Sequence, residues 1–272
     1  MIEASWENRQ YKRLKLGLEG PDLAVLVIEL FNPDQKNALD DRMQVELLDV
    51  LEAVKQDSAI RCVIFGTKAG ADFCSGGDIA MFEDMSPQKG AWYSLERGQH
   101  FQELIRSIPK PVICAVDGWC LAGGTELVLM CDFAFATEQA KFGLPEINLG
   151  LLPGWGGTVR LTRAAGLRRA KELIFTGDTI SAQEAHDMGI LNRVCTDHAS
   201  LRKAIAVLCQ KICSKSQHAI GVAKQVLNDG HLQADDRTAL AIERGGNGLL
   251  LSTGDFKARV SAFLNKTHGQ SV

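Results

Sequence analysis

The sequence lacks a marked excess of charge of either sign, and this absence narrows the partners that the protein could bind. Its 272 residues include 30 lysines and arginines and 33 aspartates and glutamates, which gives a formal net charge of -3 at pH 7. Proteins that bind nucleic acid or an anionic membrane over a broad surface usually carry a basic excess. We therefore expect neither partner, although a small local cationic site is compatible with this charge.

Long apolar runs and signal-like segments are missing as well. No apolar stretch approaches the roughly 20 residues that cross a bilayer. The first residues, MIEASWENRQYKRLKL, have no apolar core of the kind found in signal peptides. None of the eight cysteines has CxxC spacing, so we expect buried reduced thiols, without disulfides and without a bound metal. These features favour a reducing, cytoplasmic compartment.

The composition that is present, 46% apolar and 23% charged residues, is that of an ordinary globular protein. Apolar strand-like runs at 24–30, 61–65, 112–116 and 132–136 alternate with helical patterns. One of these helices is capped by Asp40 or Asp41, and another spans about 92–107. This alternation predicts an α/β core with largely parallel strands over residues 1–196. From about residue 197 the apolar spacing is helical, so residues 197–272 are predicted to form a helical region that folds back on the core or packs on a neighbouring subunit.

Glycines stand beside acidic residues in three segments. These segments are FCSGGD at 73–78, GWCLAGGTE at 118–126, and GLPE at 143–146 with its continuation PGWGGT at 153–158. A glycine pair at a helix start lets the backbone approach a ligand closely, and the first helical N–H groups have no partner within the helix. Two such segments could supply two donors to an oxygen that gains negative charge, although either glycine pair alone could equally be a tight turn.

Two glutamates lie in these apolar surroundings, and each has a plain alternative explanation. Glu126 would stand in the first turn of an apolar helix, where a glutamate often serves only to compensate the helix dipole. Glu146 follows Pro145 in an otherwise uncharged loop, where a lone glutamate is usually solvated. Burial would raise the pKa of either carboxyl, so that a general acid and a general base could coexist near neutral pH. The residue pattern by itself leaves both alternatives open.

The motifs resemble, in order and spacing, those of the enoyl-CoA hydratase/isomerase (crotonase) superfamily. The resemblance covers about residues 16–266 and rests on five segments: NPDQKNALD, FCSGGDI, KPVICAVDGWCLAGGTELVLMCD, AKFGLPEINLGLLPGWGGTVRL and TGDTISAQEAHDMGILNRV. It implies a spiral of repeated ββα units followed by a C-terminal helical trimerisation region. It further implies a homotrimer or homohexamer that acts on acyl-CoA substrates, with coenzyme A as part of the substrate and no other cofactor.

The resemblance also implies roles for individual residues. The backbone N–H groups of Ser75 and Gly123 are expected to form an oxyanion hole for the thioester carbonyl. Glu126 is expected to activate the water that attacks C3, and Glu146 to protonate C2, which is hydration of a 2-enoyl-CoA or the reverse dehydration of a 3-hydroxyacyl-CoA. Isomerisation of the double bond, thioester hydrolysis and a non-catalytic scaffold remain as alternatives.

Further residues are expected to contact the substrate by the same resemblance. Along the coenzyme A path these are Cys74, Gly76, Asp78, Ile79 and Gly124, and in the C-terminal AFLNK segment they are Phe263 and Lys266. Trp155 stands in the PGWGG turn where relatives often have a small residue, so it either reshapes the acyl pocket or packs away from substrate. The candidates for the remaining acyl-pocket wall are Met81, Phe82, Met85, Trp92 and Tyr93.

Overall fold

Two β-sheets form the framework of the protein. A computed structural model describes residues 6–268, apart from the side chains of Glu7 and of residues 266–268. The larger sheet has the spatial order Leu14–Glu19 (β1), Val25–Leu30 (β2), Cys62–Gly66 (β3), Val112–Val116 (β4), Phe133–Thr137 (β6) and Arg193–Cys195 (β9). The smaller sheet has the order Trp119–Leu121 (β5), Lys141–Gly143 (β7) and Thr179–Ser181 (β8).

The pairing within the larger sheet confirms the prediction of largely parallel strands. All neighbours from β2 to β9 run parallel, and only β1 pairs antiparallel with β2. Every residue of β3 and β4 is buried, as expected for parallel strands that are covered on both faces. The short strands β5, β7, β8 and β9 were not predicted, because three residues are too few to show a period.

Helices cover the sheets and form the C-terminal part. Those of the core are Asp41–Gln56 (α1), Pro87–Tyr93 (α2), His100–Ser107 (α3), Gly123–Met130 (α4), Gly157–Ala165 (α5), Leu167–Thr176 (α6) and Ala182–Asp187 (α7). The C-terminal helices are His198–Cys213 (α8), Gln217–Gly230 (α9), Asp236–Leu251 (α10) and Gly254–His268 (α11). The helix predicted at 92–107 begins earlier, at Pro87, and a π-helical segment, Ser94–Gln99, separates α2 from α3.

The C-terminal helices differ in how they contact the core. In α8, the buried residues Leu201, Ile205 and Cys209 share an apolar cluster with residues of β2 and β3, so this helix folds back on the core. By contrast, α10 has no buried residue, and it exposes Leu240, Leu249 and Leu251. The division of the chain at residue 196 stays a prediction.

The loops after β3 and β4 meet because these strands are parallel neighbours, whose carboxyl ends lie at the same edge of the sheet. The FCSGGD loop follows β3, and β5 with α4 follows β4. Two hydrogen bonds join the two segments: the Cys74 N–H donates to the Trp119 carbonyl at 3.0 Å, and the Leu121 N–H donates to the Cys74 carbonyl at 2.9 Å. The fold therefore brings both glycine-rich segments together.

Candidate active site

A cavity of about 530 Å³ opens where the FCSGGD loop, the start of α4 and the segment 145–155 meet. Its lining includes backbone of both glycine-rich segments and both predicted acids: Ser75, Gly77, Gly123, Glu126 and Glu146. Apolar side chains form much of the remaining wall: Leu39, Ile79, Phe82, Met85, Tyr93, Leu149, Leu151, Leu152 and Trp155. A larger cavity of about 840 Å³, beside α3, α9 and α10, is lined by Glu103 but by neither predicted acid. The smaller cavity is therefore the candidate active site.

Glu126 is held in place by the backbone of the PGWGG turn. It lies in the first turn of α4 with only 3% of its surface exposed. Its Oε1 accepts hydrogen bonds from the N–H groups of Trp155 at 2.7 Å and Gly157 at 2.8 Å. Burial raises the pKa of this carboxyl to about 7, the charge of Glu146 also acts to raise it, and the two N–H donors act in the opposite direction.

Glu146 is less tightly held. It lies in the 3-10 helix Pro145–Leu149. Within the described part of the chain its Oε2 is buried and has no hydrogen-bond partner. Burial raises the pKa of Glu146 to about 7 as well. A buried carboxyl oxygen without a partner is costly, so this oxygen is suited to accept or donate a hydrogen bond to a molecule in the cavity.

The Ser75 N–H, which was predicted as an oxyanion donor, donates to the Lys36 carbonyl at 3.0 Å and is therefore not free in this structure. Gly77, two residues later, is placed differently. It forms a parallel bridge with Leu39, in which the residues on either side of it make the bonds: the Leu39 N–H donates to the Gly76 carbonyl and the Asp78 N–H to the Leu39 carbonyl. The N–H of Gly77 itself has no acceptor among residues 6–268.

Gly77 and Gly123 approach each other at the cavity wall. A Cβ placed on Gly123 would lie 3.6 Å from the Gly77 nitrogen and 3.1 Å from Leu39 Cδ1. Gly123 is the first residue of α4, so its N–H has no partner within the helix. Ala122 before it has φ 48° and ψ -121°, a conformation that favours glycine. The N–H groups of Gly77 and Gly123 therefore stand at one end of the cavity, and neither has an acceptor among residues 6–268.

The other residues predicted along the coenzyme A path have varied positions. Ile79 is 63% exposed and lines the cavity. Asp78 caps the 3-10 helix Ile79–Phe82 by accepting from the Ala80 N–H at 3.1 Å. Cys74 is fully buried, and a Cβ on Gly124 would lie 2.7 Å from its carbonyl oxygen, so both pack the two loops together. Gly76 has φ 108° and lies against Ala122.

The two predicted C-terminal contacts lie on α11 and stay predictions. Phe263 is 67% exposed and does not line the cavity, while the side chain of Lys266 lies outside the described part of the structure.

Trp155 both packs inside the protein and lines the cavity, which combines the two alternatives for this residue. Its side chain is 6% exposed, and its ring lies against Phe101 and Tyr93 with centroid distances of 5.7 and 6.2 Å.

Of the predicted wall residues, Phe82, Met85 and Tyr93 line the cavity, whereas Trp92 is 58% exposed and does not. One polar contact of this region had no sequence signal: Gln102 Nε2 donates to the Trp155 carbonyl.

Comparison with known proteins agrees with this fold. The profile of the enoyl-CoA hydratase/isomerase family matches residues 21–270, and the chain belongs to this family. It is 38% identical over 244 residues to the crotonyl-CoA hydratase of Syntrophomonas wolfei, an alignment that covers 90% of this chain and 92% of the relative. It is 36% identical over 242 residues to the short-chain-enoyl-CoA hydratase of Clostridium acetobutylicum, with coverage of 89% and 92%.

Solved structures confirm the crotonase-type architecture. The crystal structure of enoyl-CoA hydratase from Bacillus anthracis superposes with a TM-score of 0.87 at 33% sequence identity, and the alignment covers 94% of this chain and 97% of that one. Among the described residues, none of the helices has the length and apolar character needed to cross a membrane.

Proposed function

We infer that the protein is an enoyl-CoA hydratase, a hydro-lyase that adds water across the 2,3-double bond of a 2-enoyl-CoA thioester or removes it in the reverse reaction. The observation that carries this proposal is the convergence of two carboxyls on one cavity. Glu126 is buried, and the half-buried Glu146 has a buried Oε2 without a partner among the described residues. Relatives that cover nine-tenths of the chain are named for this activity. Two acids with pKa values raised by burial can hold and polarise a water molecule near neutral pH.

In the proposed reaction the two glutamates and the pair of backbone N–H groups each have one role. Glu126, as the carboxylate, takes a proton from the water while the water oxygen bonds to C3. The electron pair of the double bond moves toward the thioester carbonyl, whose oxygen gains negative charge and accepts from the N–H groups of Gly77 and Gly123. Glu146, as the acid, then delivers its proton to C2, and the C=O bond is restored. Gly77 replaces Ser75 in this role because the Ser75 N–H is already paired.

The activity is tested with a panel of 2-enoyl-CoA thioesters and saturated acyl-CoA controls. Loss of the 2-enoyl absorbance with formation of the 3-hydroxyacyl product is expected for at least one member of the panel. Release of free coenzyme A thiol from the saturated thioesters would instead identify a hydrolase. No turnover of any enoyl thioester would contradict the proposal.

The pH–rate profile of hydration should be bell-shaped, with its maximum near pH 7. Because both acids have a pKa of about 7 and share one site, they titrate as a pair. The rate falls on the acidic side because Glu126 becomes protonated, and on the alkaline side because Glu146 loses its proton. Far from the maximum, kcat/KM should change about tenfold per pH unit. A profile that stays flat from about pH 5 to 9 would contradict these assignments.

We propose that the substrate has a short acyl chain, because the Trp155 ring closes part of the pocket. In Trp155→Ala, longer enoyl chains should gain about tenfold or more in kcat/KM relative to a four-carbon chain, as an added methylene is worth about 1–3 kcal/mol in an apolar pocket. Trp92→Ala, which truncates an exposed tryptophan, should leave the preference unchanged. Trp155→Phe keeps more of the packing if the alanine variant is unstable. An unchanged chain-length preference in both Trp155 variants would defeat the idea.

We propose that coenzyme A enters only as part of the substrate and that the protein assembles as a trimer or hexamer in the cytoplasm. The exposed apolar residues of α10 and α11, among them Leu240, Leu249, Phe256 and Val260, support self-association.

A further inference from the structure

Gln102 makes close contacts with the turn that holds Glu126. It lies on α3 and is half-buried. Its Nε2 donates to the Trp155 carbonyl at 2.5 Å, and its Oε1 accepts from Arg160 Nη2 at 3.3 Å. Gly156 has φ 95°, and a Cβ there would lie 2.8 Å from Gln102 Nε2 and 2.9 Å from its Oε1. The side-chain amide therefore packs directly on the backbone of the turn.

The turn 155–157, whose backbone Gln102 contacts, also binds the Glu126 carboxylate. The N–H groups of Trp155 and Gly157 donate to Glu126 Oε1, and the Trp155 carbonyl lies between them in the chain. A peptide group is planar, so a hydrogen bond to that carbonyl fixes the plane of the Trp155–Gly156 peptide. The next peptide, which carries the Gly157 N–H, is held by the first hydrogen bond of α5, from the Arg160 N–H to the Gly156 carbonyl at 2.9 Å. Gln102 therefore holds the peptide that links the two N–H donors.

A second contact with the same helical stretch fixes the Trp155 side chain. A Cβ on Gly98 would lie 2.7 Å from Trp155 Cδ1, so the indole lies directly on the backbone of the π-helical segment Ser94–Gln99. Gly98 and Gln102 are four residues apart, and together they hold the ring and the carbonyl of one residue. Segments of π-helix are frequent at functional sites, and here the segment leads into the helix that carries Gln102.

We propose that Gln102 is a positioning residue, which holds the turn 155–157 so that its two N–H groups meet the Glu126 carboxylate. This role rests on the proposed function, in which Glu126 acts as the base. Gln102 does not line the cavity, so it acts through the turn and not on the substrate. Loss of its N–H donor would loosen the two hydrogen bonds to Glu126, which favours the protonated carboxyl and lowers the fraction of active base at neutral pH.

The test is Gln102→Leu, which keeps the approximate size and removes the donor, with Gln99→Leu on the exposed side of the preceding segment as the matched control. The ¹³C-labelled Glu126 carboxyl is titrated by NMR and assigned by its absence in Glu126→Gln. Gln102→Leu should raise the titration midpoint of the Glu126 carboxyl by about one pH unit, which is a tenfold change in its protonation equilibrium. The acidic limb of kcat/KM should move by the same amount, kcat at pH 7 should fall several-fold, and KM should stay within about twofold. Gln99→Leu should change none of these.

An unmoved Glu126 midpoint in a folded Gln102→Leu protein would overturn the proposal, and so would a loss of rate that is equal at every pH. If Gln102→Leu lacks a cooperative thermal transition, Gln102→Met supplies the same loss of donor with a more flexible chain and must show the same shift. The NMR titration needs no turnover. A wild-type protein that hydrates no enoyl thioester therefore refutes the proposed function, while the titration still decides the role of Gln102.

Discussion

Glu126→Gln and Glu146→Gln should each lower kcat for hydration by about a thousandfold, within the range expected for loss of a general acid or base. The glutamine at position 126 can still accept the N–H groups of Trp155 and Gly157, so the turn should keep its structure while the base is lost. At position 146 the amide replaces a carboxyl whose Oε2 has no partner in the part of the chain that the structure describes, so the variant loses the proton donor without breaking a hydrogen bond to that oxygen.

The two variants also separate hydration from isomerisation. Movement of a proton between two carbons can proceed on a single carboxylate, so isomerisation should survive in one of the two variants, whereas hydration should collapse in both. Glu172→Gln on the exposed surface of α6 is the matched control and should keep the wild-type rate. Binding of a saturated acyl-CoA, measured by calorimetry, should change little in either variant. A variant at position 126 or 146 with more than about a tenth of the wild-type hydration rate would remove that residue from the proposed mechanism.

The sequence predicted features that depend on local pattern. The cap of α1 is an example: the sequence offered Asp40 or Asp41, and Asp40 accepts from the Met43 N–H at 2.8 Å. The strand 112–116 was predicted with its observed bounds, because a short apolar run between prolines and a glycine-rich turn has few alternatives. Glu126 was placed in the first turn of an apolar helix, where the structure has it. What the pattern could not decide was its burial, which depends on the PGWGG turn thirty residues later folding over it.

Features that depend on contacts between distant segments could not be predicted from the sequence. Which of the Ser75 and Gly77 N–H groups is free depends on Lys36 and Leu39, which pair with the FCSGGD loop from nearly forty residues away. A glycine motif indicates that a donor is present, but the register of such a pairing determines which N–H remains free. Gln102 gives no motif signal at all, because its role arises only when α3 lies against the turn at Trp155. The π-helical segment likewise has no period that distinguishes it from the α-helices on either side.

Replacing the Gly76–Gly77 amide by an ester should lower kcat by about 100- to 1000-fold, the loss expected for one oxyanion donor. Glycolic acid in place of Gly77 removes the N–H and adds neither a Cβ nor a ring. This matters because a Cβ at Gly77 would lie 3.3 Å from the Phe82 ring. Because Gly123 keeps its N–H, the residual rate should remain above the uncatalysed rate. Substrate binding should weaken less than kcat, since the oxyanion exists only as the reaction proceeds.

The same ester substitution at Ser75 is the control, and it discriminates between the two donors. The Ser75 N–H is bound to the Lys36 carbonyl, so its removal should lower the free energy of unfolding by about 1 kcal/mol and leave kcat within a few-fold of wild type. The reverse result, with a large loss of kcat at position 75 and little at 77, would restore Ser75 as the donor. It would also require the FCSGGD loop to change its pairing with Lys36 when substrate binds. Thermal unfolding measured on both esters separates the two effects, because a loss of the oxyanion donor lowers kcat without a comparable loss of stability.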